Sequence, residues 1–153
     1  MMRLHSFIAT GVSLGLLATT QAAKAEQAPA TGAPDAVVAS APYPAVRLLD
    51  TDKDVLGQAF VFPKGPTRLV SEIVTLAPGE SGATHRHLFP MFAYLLEGSL
   101  MVDYGPQGQR SYKAGDALVE AMGVPHHGHN QGTEKVRILV VYMAEKDAVL
   151  VAR

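Results

Sequence analysis

From Arg68 onward the chain repeats one kind of segment, a short β-type stretch closed by Gly, Pro or Asp. Apolar residues at helical spacing are nearly absent. Strand signals fall at Arg68 to Leu76, Met91 to Leu96, Ser99 to Tyr104, Gln109 to Tyr112, Ala117 to Glu120 and Val136 to Met143. Glu97-Gly98 and Ala114-Gly115-Asp116 read as turns, and Gly105-Pro106-Gln107-Gly108 as a hairpin loop. Many short strands at close spacing predict an all-β fold, either a sandwich or a small antiparallel β-barrel. An immunoglobulin-like sandwich competes, but it leaves the placing of the histidines unexplained.

The 153 residues suffice for one compact domain and are too few for two ordinary ones. A hydrophobic share of 48% and a charged share of 18% describe a globular chain rather than a disordered one. With no cysteine, disulfides, thiolate catalysis and Cys-based zinc or iron–sulfur sites are excluded.

The first 25 residues are read apart from the fold. Arg3 carries the positive charge, Phe7 to Ala18 is a short apolar run, and Ala23-Lys24-Ala25 is a small-x-small cleavage pattern before Glu26. This is the layout of a secretory signal peptide, so residues 1–25 are expected to be removed and the protein exported, periplasmic or secreted. The apolar run falls short of the roughly 20 residues that span a bilayer, so no membrane span is expected in the mature chain. Removing Arg3 and Lys24 from 13 basic residues, against 14 acidic ones, leaves a net charge of −3. No basic patch remains, and nucleic acid is not an expected partner. Residues 26–44 are rich in Ala and Pro and read as a tether, leaving residues 45–153 for the fold.

Apart from His5, the histidines fall in two groups: His85 and His87, then His126, His127 and His129. Alternate residues of a strand share a face, so His85 and His87 project together, roughly 6.5 Å apart at the backbone. Both imidazoles can then reach one ion, with His126 supplied by a distant strand.

The spacing carries a family resemblance. Gly79, five residues, His85-Arg86-His87, then Tyr94-Leu95-Leu96-Glu97-Gly98 resembles the first cupin signature motif. Gly115-Asp116, then Gly123-x-x-His126-x-x-x-Asn130 resembles the second. The resemblance covers about residues 65–145. It implies a small six- to eight-stranded antiparallel barrel, often a homodimer, with one divalent transition metal ion in its mouth. His85, His87 and His126 take the positions of the family's histidine ligands. Asn130, Asp116 and Glu97 take positions that hold turns.

Two positions depart from the pattern. Where the family carries a ligand glutamate this chain has Met91, and where it carries a proline this chain has Ala121. Three neutral imidazoles without a carboxylate leave the full charge of the ion on the site, which favours an anionic or enolate-like ligand. Met91 shares strand parity with His85 and His87; its thioether is either a soft ligand or pocket wall. Glu120 stands where the family pattern places an inward apolar residue. It is read as a general base or a replacement ligand, against the alternative that it lies in solvent. Strict alternation after His126 sends His127 and His129 away from the metal. Arg86 should face outward.

The expected function is an exported metal-binding protein acting on a small-molecule ligand or substrate. As an enzyme it would be a dioxygenase, lyase or isomerase of a chelating carbonyl or enol compound, with Glu120 as its catalytic carboxylate. The alternative is a non-catalytic envelope protein that holds a metal or small ligand. Three imidazoles accept iron, manganese, nickel, zinc and copper alike.

Overall fold

The computed structural model describes residues 42–153. The signal segment and all but the last three residues of the expected tether lie outside these. Seven strands follow in order: β1 (Thr67–Leu76), β2 (Met91–Glu97), β3 (Ser99–Asp103), β4 (Gln109–Lys113), β5 (Ala117–Val119), β6 (His127–His129) and β7 (Val136–Glu145). The only helical element among the described residues is a 3-10 turn at Gly105–Gln107, within the expected hairpin loop. No helix among them is long and apolar enough to cross a membrane.

The all-β expectation holds, but the strands do not close into one hydrogen-bonded barrel. They form an antiparallel four-stranded sheet in the order β1-β7-β2-β5 and a three-stranded sheet in the order β4-β3-β6. Isolated bridges pair the segments between strands, His85 with His126 and His87 with Met122, and Ser81 with His129 at the end of β6.

The alternation of the sequence explains the core. On β7, Val136, Ile138, Val140, Tyr142 and Ala144 are buried, with half-buried residues between them. On β2, Met91, Ala93 and Leu95 point the same way, and β3 adds Leu100 and Val102 from the other sheet. These side chains form one apolar cluster between the sheets. Gly98 makes the β2–β3 turn at a φ of +77°, and a Cβ there would meet the Lys135 carbonyl oxygen at 2.6 Å. Only glycine fits that approach.

Candidate metal centre

The two histidine groups are paired through the backbone. His85 and His126 exchange both amide hydrogen bonds, at 2.9 and 2.8 Å. The Gly123 N–H donates to the His87 carbonyl at 2.7 Å. Arg86, exposed as its parity requires, exchanges both bonds with Ala152 at 2.9 and 3.0 Å, so the last residues of the chain brace the segment from the other side.

This pairing brings three imidazoles together. Ring centroids are 4.9 Å apart for His85 and His87, 4.7 Å for His85 and His126, and 5.1 Å for His87 and His126. Their ligating nitrogens all lie within 4.8 Å of one another. Each ring is oriented by a backbone carbonyl on its Nδ1: Ala83 at 2.9 Å for His85, Val124 at 2.8 Å for His126, and Leu150 at a longer 3.5 Å for His87. A carbonyl only accepts, so Nδ1 carries the proton and Nε2 keeps its lone pair. Burial, then the neighbouring His126 and His85, lowers the pKa of His87 to about 4. Its ring is therefore neutral near pH 7. Three carbonyl-oriented imidazoles whose ring nitrogens lie this close together can hold a divalent metal ion.

The carboxylate lies beside them. Glu120 follows β5 and is buried, against the solvent alternative. Its Oε1 accepts the Tyr104 hydroxyl at 2.7 Å and the Ala121 N–H at 2.8 Å. Its Oε2 stands 4.0 Å from His126 Nε2. Met91 is buried too, in the apolar cluster, opposite Tyr142 on β7. Its carbonyl accepts the Glu120 N–H at 2.9 Å, so the two residues are backbone neighbours. The Tyr142 ring stands 5.6 Å from that of His87.

The other histidines are separate from this group. His127 and His129 pair with Asp103 and Met101 on β3. A Cβ on Gly128, between them, would lie 3.1 Å from the buried Leu100 side chain, so Gly128 faces the core and its neighbours face away. His129 Nδ1 bonds the Ser81 hydroxyl. Asn130 holds a turn, donating to the Leu76 and Glu134 carbonyls and accepting the Gly132 N–H.

Other residues of the site lie outside the motif spacing. Tyr104 is fully buried, and its signal was available, because β3 parity through Leu100 and Val102 carries inward to it. Asp54 is buried and accepts the Leu56, Gln58 and Met122 N–H groups, fastening the approach to β1 onto the loop before His126. Nothing local marks Asp54, nor the bracing by Leu150 and Ala152. A groove of about 530 Å³ reaches His126 and Tyr104, with Thr84, Gln107, Val124 and His127 also on its walls. That volume suits a small molecule.

Residues 72–142 match the family model described as a cupin domain. No curated protein matches the chain. Among solved structures, the polyketide cyclase RemF of Streptomyces resistomycificus is similar at 23% identity, covering 62% of this chain and 68% of that one, with a TM-score of 0.49. An oxalate oxidase in complex with glycolate is similar at 22% identity over 52% of this chain and 44% of that one, TM-score 0.46. An RmlC-like cupin from Shewanella frigidimarina is similar at 18% identity over 52% of this chain and 68% of that one, TM-score 0.43.

Proposed function

This chain carries a cupin domain over residues 72–142, and on that premise we propose that it is an exported mononuclear metal enzyme. Its substrate would be a small chelating carbonyl or enol compound. The reaction class is a dioxygenation, a lyase cleavage or an isomerisation. The observation that carries this reading is the free Oε2 of buried Glu120, 4.0 Å from Nε2 of His126 in the three-imidazole cluster.

His85, His87 and His126 would hold the ion through Nε2. With it bound, the site gains a Lewis acid for a carbonyl or enolate oxygen. Half-buried His85 lies on the more open side, while His87 and His126 are closed off from water. Glu120 offers Oε2 to take and return a proton beside that oxygen. The Tyr142 ring, 5.6 Å from that of His87, brings the edge of the apolar cluster to the site, where shielding from water strengthens charge interactions. The ion's identity within the divalent transition series is left to the chemistry of three imidazoles, which take several. Export rests on the pattern of residues 1–25, and assembly as a homodimer rests on the family resemblance.

The test is Glu120→Gln in the full chain, assayed with a panel of diketones and keto acids. Turnover in wild type, lost in the variant while bound metal is retained, is the expected result. Metal lost together with turnover would make Glu120 a ligand and the protein a metal holder. No turnover of any panel member by metal-loaded wild type would count against the enzyme reading.

A further inference from the structure

The two oxygens of Glu120 have different surroundings. Oε1 is occupied by the Tyr104 hydroxyl at 2.7 Å and the Ala121 N–H at 2.8 Å. Oε2 faces His126 Nε2 at 4.0 Å. Two ligands about 2.1 Å from one ion are about 3.0 to 3.4 Å apart at right or tetrahedral angles, so Oε2 at 4.0 Å stands beside the ion's position without filling a ligand place. An untethered carboxylate could turn either oxygen toward the imidazoles.

Tyr104 removes that choice. It is fully buried, and its ring lies 5.5 Å from that of His126. The Arg110 guanidinium stands 5.7 Å from the centre of the same ring. The Tyr112 hydroxyl lies 3.3 Å from the Tyr104 hydroxyl, a longer contact than the 2.7 Å bond to Glu120. Burial, then the Glu120 charge, pushes the Tyr104 phenol above its ordinary value, so it keeps its proton and acts as the donor. The phenol therefore touches the histidine cluster and the carboxylate at once.

We propose that Tyr104 is a positioning residue, pinning Oε1 of Glu120 into the wall so that Oε2 alone faces the three imidazoles. This rests on the metal-centre reading above and adds the residue that sets the geometry of its carboxylate. Groups that orient metal-site side chains typically change affinity 10- to 100-fold when removed. A phenol that merely fills the core would change stability and leave the metal's surroundings alone.

The experiment titrates the metal-free full chain with Co2+, read by its visible ligand-field bands and by competition with a chelator. Tyr104→Phe is expected to take up Co2+ in the wild-type ratio, to bind it about tenfold more weakly, and to show shifted bands. Glu120→Gln is expected to shift the bands as well, with no further shift when Tyr104→Phe is added to it. Tyr112→Phe, which leaves the Tyr104–Glu120 bond in place, should keep the wild-type bands. Wild-type bands and affinity in Tyr104→Phe would overturn the proposal and leave the metal centre standing. Wild type binding Co2+ no better than His87→Ala would overturn the metal centre and this proposal with it. A crystal structure of the Co2+-loaded wild type needs no variant. It should show the Tyr104 hydroxyl still on Oε1 and Oε2 turned to the ion; Oε1 turned to the ion would overturn the assignment.

Discussion

Acidifying the metal-free protein should expose the cost of keeping His87 neutral. The residue is 2% exposed and its ring lies against those of His85 and His126. Burial first, then those neighbours, lowers its pKa from 6.5 to about 4. Above pH 6.5 the ring is neutral in the folded and unfolded chain, and pH has no leverage through it. Between pH 6.5 and about 4 only the unfolded chain takes up the proton, so stability falls as pH falls. The loss is complete below the folded value and amounts to about 3 kcal/mol. At about pH 5.5 it is already near 1.4 kcal/mol. The assay is urea unfolding of chelator-treated wild type and His87→Gln at about pH 7.5 and 5.5. The difference between the two proteins cancels the carboxylates, which titrate in both. The advantage of wild type over the variant should shrink by about 1.4 kcal/mol at the lower pH. An advantage that stays constant across the two pH values would refute the claim that His87 is held neutral.

Further outcomes follow from the same structure. Asn130→Ala strips partners from two carbonyls and one N–H inside the protein and should cost about 2–4 kcal/mol, measured by denaturant midpoint; a cost under about 0.5 kcal/mol would contradict it. Gly98→Ala forces a side chain onto a positive φ and against the Lys135 carbonyl, and should lose about 2 kcal/mol or more in the same assay. Zn2+ at about 100 times its Kd should stabilise wild type by about 2.7 kcal/mol in thermal melts, and His87→Ala hardly at all. Equal shifts in both proteins would place the binding elsewhere.

Much of the fold was legible because it rests on local signals. Alternating apolar residues and Gly- or Pro-marked turns locate six strands to within a residue or two. β6 was missed. His127, Gly128 and His129 have no apolar alternation, and they become a strand only by pairing with β3. The strands of the expected barrel fall into two sheets, with the short β5 at the edge of the larger one. Closure depends on distant pairings that no local pattern records.

The site divides in the same way. Motif spacing brought His85, His87 and His126 forward, and the structure places them together. The family pattern marks the position of Glu120 as inward, and it is buried, but Leu118 through Ala121 are all buried, so alternation is not what holds it. Tyr104 and the Ala121 N–H hold it. Met91, in the position of the family's glutamate, lies in the apolar cluster. The carbonyls of Ala83, Val124 and Leu150, which orient the rings, carry no side-chain signature at all.

His85, His87 and His126 together are expected to hold one divalent metal ion. Metal analysis of the full chain purified without chelator, beside His87→Ala prepared identically, tests it most directly. Roughly one transition metal ion per wild-type chain and a clear loss in the variant are expected. Equal metal content in the two proteins would contradict it.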